Sequence, residues 1–311
     1  LVGSEMCIRD RCKLAEKWIP KTVVDSELQV NENDTQIHIK GREFAYTIDK
    51  RTALFTEMKF AGREYLNHPM ELNIWRAPTD NDMYIKAEWK KAHYDKAYTR
   101  AYTTEVVQGK HGVKIVSHAS VVAETVQKIL DVTITWKIDA SGKIDADIEA
   151  TKDGEFPDLP RFGVRMFLDK KLSDARYFGM GPQESYRDKH QAASHGLYRA
   201  NVGDLHEDYI RPQENGSHYD CEYVELNNSR YGIVASAEKA FSFNASYYTQ
   251  EELEKKTHNY ELIESDSVVF CVDYALNGIG SNSCGPVVLD QYRFDDVLFR
   301  FQFTLIPYVK G

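Results

Sequence analysis

Three short polar side chains follow a proline in Trp75-Arg76-Ala77-Pro78-Thr79-Asp80-Asn81-Asp82. Pro78 restricts the backbone before it, and Asp80, Asn81 and Asp82 can bond turn N–H groups, bind sugar hydroxyls or ligate a hard cation. Spacing alone favours a plainer arrangement, with Arg76 paired to an acidic residue and 80–82 shaping a turn, because three short polar residues do not complete a metal shell. A second segment, Gly278-Ile279-Gly280-Ser281-Asn282-Ser283-Cys284-Gly285-Pro286, has glycines that permit tight turns exposing Asn282, Ser283 and Cys284. A buried loop with a free thiol is equally allowed. A Cys284 nucleophile would need an activating base and an orienting group, so Cys284 reads as a wall residue.

Two further segments could line a site. In Arg176-Tyr177-Phe178-Gly179-Met180-Gly181-Pro182-Gln183-Glu184-Ser185-Tyr186 an aromatic strand end enters a Gly-Pro turn. That turn either presents Gln183, Glu184 and Tyr186 at a sheet edge or fastens one loop. Arg211-Pro212-Gln213-Glu214-Asn215-Gly216 with His218 either lines a carbohydrate cleft or forms a solvated connection. Gly179-Met180-Gly181 is no phosphate loop, since neither GxxxxGK nor a long helix follows. The ten histidines contain no HExxH, and the five cysteines lack CxxC spacing, which argues against a zinc site and a disulfide framework. Retaining glycoside hydrolysis needs paired carboxylates, which sequence distance cannot select from 48 acidic residues. No catalytic residue and no metal ligand is therefore assigned.

The elements that must position these segments alternate with period two. Ile37 and Ile39, then Phe44, Tyr46 and Ile48, read as half-buried strands. Val132, Ile134, Trp136 and Ile138 lead through Ser141-Gly142 into Ile144, Ala146, Ile148 and Ala150, the clearest hairpin. Phe299, Phe301, Phe303 and Leu305 form one side of a last strand, which Pro307 is expected to stop. Helical signals are a capping box at Thr249 and Glu252 and an amphipathic piece over 87–97. Strands joined mostly by turns, without a helix after each, point to an all-β fold of large antiparallel sheets packed face to face. No repeat or Pro-rich linker divides the chain after residue 28, so one large sandwich is expected.

The 311 residues include 42% hydrophobic and 28% charged side chains, enough to bury a large core. A net charge of −9 without a basic block speaks against nucleic-acid binding. The apolar run Val268-Val269-Phe270-Cys271-Val272 is too short to span a membrane. Scattered cysteines make a reducing compartment, the cytoplasm, the expected location.

The same segments, with Phe243 to Tyr247, occur in this order in the carboxyl-terminal region of the large bacterial β-galactosidases of glycoside hydrolase family 2, which the chain resembles over about residues 28–309. The resemblance implies an antiparallel supersandwich related in fold to galactose mutarotases, found as a final domain or as a separate small subunit. It implies a share in hydrolysing terminal β-D-galactosides such as lactose, by completing the substrate cleft and supporting oligomer assembly. The partner is then the catalytic barrel-containing region or large subunit, whose acid/base and nucleophile no residue here inherits. Cofactors are expected to be none in this chain, with magnesium, and sodium as a second ion, implied for the complete enzyme.

The resemblance further implies that the segment after Asp80, Asn81 and Asp82 approaches the active-site entrance, and that the loop of Asn282, Ser283 and Cys284 lies beside the substrate. The position of Cys284 often carries a sugar-stacking tryptophan, so aglycone binding should differ here or another aromatic must serve. Residues 1–11 depart from the family and read as foreign sequence or a fragment boundary, leaving 1–27 as tail and end of a preceding linker and 28–311 as the sandwich domain. Two other functions compete: a self-contained sugar epimerase, which needs an acid/base constellation in one cleft, and a free-standing carbohydrate-binding module.

Overall fold

Alternation of apolar and polar side chains fixes which face of each strand turns inward, and strand after strand follows it. The computed structural model of the chain describes residues 28–125, 128–280 and 286–310. A five-stranded antiparallel sheet comprises, in order, β1 (Gln29–Glu32), β2 (Gln36–Lys40), β3 (Phe44–Asp49), β4 (Leu54–Phe60) and β5 (Arg63–Glu64). A twelve-stranded sheet follows. Its first half is β6 (Leu66–Asn73), β7 (Tyr98–Gln108), β8 (Gly112–Val122), β9 (Leu130–Asp139), β10 (Ile144–Lys152) and β11 (Arg161–Asp169). Its second half is β12 (Asp174–Gly181), β13 (Ser194–Asn201), β14 (Ser217–Asn227), β15 (Tyr231–Ser246), β16 (Ser267–Leu276) and β17 (Leu298–Val309).

The larger sheet forks at β15. Residues 231–236 of that strand pair with β17, whereas 242–246 pair with β16. One branch continues from β17 through β10, β9 and β8 to β7, and the other from β16 through β11 to β6. Phe162 of β11 and Phe299 of β17 meet between the branches with ring centres 4.8 Å apart. The small sheet closes on the first branch through Phe55 and Trp136, 4.9 Å apart edge to face, and through Trp136 Nε1 donating to the Ala53 carbonyl at 2.8 Å. Large aromatic side chains with satisfied polar tips thus join both sheets into one core extending from Leu28 to Leu305. The result is the all-β fold of large antiparallel sheets expected from the alternation, in the supersandwich form that the resemblance implied.

The hairpin of β9 and β10 has the expected register, Ile138 opposite Ile144. Pro307 does not stop the last strand: β17 runs to Val309, with Pro307 opposite Ile233 of β15. The β10 ladder leaves β17 at Leu305, so the missing N–H falls beyond it. Among the described residues the α-helices are α1 (Ile85–Lys91) and α2 (Gln250–Lys255). Helix α1 ends short of the expected 97, because His93 takes a left-handed φ of 58°. Thr249 caps α2, its Oγ1 accepting from Glu252 N at 3.1 Å, but the box stays open: Glu252 accepts from Ile263 N at 2.9 Å instead.

Candidate functional site

The segment after β6 turns inward at Arg76, which is fully buried. Its guanidinium donates to Asp82 at 2.8 and 3.1 Å, to the Asn277 carbonyl at 2.6 Å and to the Gly278 carbonyl at 3.3 Å. It also lies 5.3 Å from the centre of the Trp89 ring of α1. Asp82 further accepts from Thr79 N at 2.8 Å and Thr79 Oγ1 at 3.1 Å, so its carboxylate is engaged within the turn. Asn81 donates to the Ile279 carbonyl at 2.6 Å. Asp80 is exposed and exchanges two hydrogen bonds with Gln213, at 3.0 and 3.3 Å. The three polar residues that are adjacent in sequence therefore point to three different partners. Asn282, Ser283 and Cys284 lie outside the described residues.

The chain leaving β16 is held from the other side as well. Asn277 accepts from Phe294 N at 2.8 Å, Gly278 N donates to the Tyr292 carbonyl at 2.9 Å, and Gly280 N donates to Asp188 at 2.7 Å. A Cβ on Gly278 would sit 2.6 Å from Asp188 Oδ2 and 2.9 Å from Val288 Cγ1, so these side chains would have to shift to admit one. Glu214 N bonds the Ala77 carbonyl at 3.1 Å, which joins the third segment to the first. Glu184 accepts from Gly216 N at 2.9 Å, from Tyr186 OH at 3.4 Å, and from Lys189 and Tyr209. Glu184 and Tyr186 thus fasten loops, while Gln183 is exposed. Residues 214–218 are buried and form no solvated connection.

Beneath these loops lies an ion cluster of Arg161, Asp273 and Glu214, each side chain at most 2% exposed. Arg161 bonds Asp273 at 2.6 and 3.2 Å and Glu214 at 3.3 and 3.4 Å. Burial pushes both carboxyls above their usual range, and Arg161 pulls them back. His218 is also buried, and loss of hydration holds its imidazole down at about 4. Asp82, Glu184, Glu214 and Asp273 are thus each paired with Arg or Lys, which a divalent cation would have to displace, so they do not fit as its ligands. Among the described residues no group of three or more His, Cys, Asp and Glu is arranged to hold a metal ion.

Beside Asn81 opens a cavity of about 540 Å³ with Tyr84, Ile85, Asn277, Val288 and Arg293 in its wall. Apolar walls with a few fixed polar groups suit recognition of an organic ligand or of a neighbouring surface. Sequence reasoning missed Arg161, Asp273, Asn277 and Asp188. Asp273 carried a signal, a carboxylate directly after the apolar run 268–272. The others carried none.

Fold and site together define an all-β supersandwich whose loops are drawn to one pocket by buried ion pairs. The family model described as Beta galactosidase small chain matches residues 40–305, and the chain belongs to that family. It is 45% identical over 289 residues to a beta-galactosidase of Actinobacillus pleuropneumoniae, covering 93% of this chain and 28% of that protein. A beta-galactosidase of Staphylococcus xylosus is 32% identical over 282 residues, covering 90% and 28%. The chain therefore spans less than a third of the length of these relatives. Among solved structures, galactose 1-epimerase from Lactobacillus acidophilus NCFM superposes with a TM-score of 0.47 and 8% identity, over 93% of this chain and 100% of that one. Among the described residues no helix is long and apolar enough to cross a membrane.

Proposed function

We propose that the chain is the non-barrel part of a glycoside hydrolase that cleaves terminal β-D-galactosides such as lactose. It completes the substrate cleft and supports assembly, while a barrel-containing region or large subunit brings the acid/base and the nucleophile. The observation that carries this reading is the fate of the buried carboxylates that tie the loops together. Asp82, Glu184, Glu214 and Asp273 are each bonded to Arg, Lys, Tyr or Thr. That leaves a face that can position a substrate and has no spare acid and base pair among those four. Asp80 and Asn81, with Asn282, Ser283 and Cys284, are the groups assigned to meet sugar; Asp82 acts through Arg76, by fixing the turn. Magnesium and sodium belong in this reading to the rest of the enzyme.

Hydrolysis of a chromogenic β-D-galactoside by the 311-residue chain tests it, alone and after adding a matching barrel-containing chain that is inactive by itself. Activity only after mixing is expected. Turnover by this chain alone, hydrolytic or epimerising, would overturn the reading.

A further inference from the structure

At the fork of β15 the two branches diverge around a groove of about 530 Å³ that shares no lining residue with the Asn81 cavity. β17 leaves β15 after residue 236 and β16 joins it only at 242, so Ala237, Glu238, Lys239 and Ala240 lie between those two ladders and line the groove. Two half-buried tyrosines stand in its wall. Tyr274 is stacked on Phe299 at 5.2 Å, and Tyr219 on His190 at 5.7 Å, so each ring is backed by another.

The polar groups are held in place too. Arg300 grips Asp147 through two bonds of 2.7 and 2.5 Å, Thr304 donates to Asp145 at 2.7 Å, and Arg187 is anchored on the Arg293 carbonyl at 2.8 Å. Lys137, Arg187, Lys239 and Arg300 supply the positive charges of the wall. Asp145, Asp147, Glu238 and Asp296 balance them one for one. An ion of either sign would gain from one half of this wall and lose to the other. A neutral polyol can donate to the carboxylates, accept from the cations and lay an apolar C–H face on a ring.

We propose that the fork groove is a second carbohydrate site, which takes a neutral hexose or disaccharide through Tyr219, Tyr274, Gln302 and the Arg300–Asp147 pair. The volume lies within the range of small-ligand pockets and exceeds what one buried water would need. The site stands independently of the function proposed above, since it needs no partner chain and no hydrolysis.

Titration of the 311-residue chain with lactose, D-galactose and D-glucose, followed by calorimetry and ligand-observed NMR, tests it. Saturable binding of at least one sugar is expected. Tyr219→Ala should weaken it about tenfold, about 1.4 kcal/mol, and Gln302→Ala, an exposed change that spares the core, should weaken it severalfold. Lys40→Ala, an exposed change on β2 outside the groove, should leave it unchanged. D-Galacturonate, the anionic analogue, should bind more weakly than D-galactose. Absence of saturable binding by all three sugars would overturn the proposal, as would binding that survives both Tyr219→Ala and Gln302→Ala. Complementation by a barrel-containing chain is read separately, so either idea can fail alone.

Discussion

Replacing Arg161 by Met is the sharpest probe of what holds the loops together. Arg161 is fully buried between Asp273 at 2.6 Å and Glu214 at 3.3 Å, and both carboxylates are shielded from water. Removing the guanidinium leaves two like charges in a low-dielectric setting, a loss of about 3–5 kcal/mol, against a total stability of roughly 5–15 kcal/mol. The loss must depend on pH. Without Arg161 the two folded-state carboxyls rise further above their unfolded values, near 3.8 and 4.5. A raised carboxyl means that the folded variant binds more protons than the unfolded chain, so its stability falls as pH rises above those unfolded values. The deficit relative to the parent is therefore smallest near pH 4.5 and largest near pH 7.5. Urea unfolding followed by tryptophan fluorescence at both pH values measures it. A deficit under about 1 kcal/mol at pH 7.5, or one that is the same at both pH values, would refute the argument.

Other expectations can be checked on the same chain. Burial holds His218 at about 4 against an ordinary 6.5, so the unfolded chain takes up the proton first and stability is lost as pH falls from 6.5 toward 4. The loss amounts to about 3 kcal/mol, and His218→Phe, which keeps a ring against Tyr177 and Phe243, should remove most of it from the acid limb of the urea midpoint. Equal acid limbs would discount His218. Gly163→Ala would place a Cβ 2.3 Å from the Val272 carbonyl and 2.4 Å from Asp273 Oδ1, and should cost about 3 kcal/mol or prevent folding; a midpoint within error of the parent would contradict this. Cys221 and Cys271 are buried, and burial raises both thiols, that of Cys271 to about 12. Peptide mapping after treatment with a thiol reagent at pH 8 should find these two labelled only in urea.

Much of the fold was legible because a strand with one buried face must alternate. Val132 to Ile138 and Phe299 to Leu305 announce their inward faces residue by residue, and β9, β10 and β17 follow. The fork was not legible, because β15 reads as one strand of 16 residues and nothing local says that its second edge is shared between β16 and β17. Pro307 was misjudged for a related reason, since its place depends on where a different strand ends. The loops were recognisable from glycine, proline and short polar residues. Their anchors were not, because Arg161 and Asp273 are 112 residues apart and Arg76 and Asn277 are 201 apart.

The buried arginines also explain why this end of the molecule is built from ions at all. A well-packed apolar group could replace a buried ion pair at little cost in stability, so stability alone does not account for Arg76. What an apolar group could not do is serve the carbonyls of Asn277 and Gly278, which lie just past the end of β16. A lysine would carry the charge but lacks the planar fork that reaches Asp82 and both carbonyls together. Arg76 therefore sets the direction in which the chain leaves β16, and Asp82 holds Arg76 while Thr79 holds Asp82. Because each link is buried and hydrogen-bonded, the wall beside Asn81 is formed before any ligand or partner arrives, which lowers the ordering cost of whatever binds there.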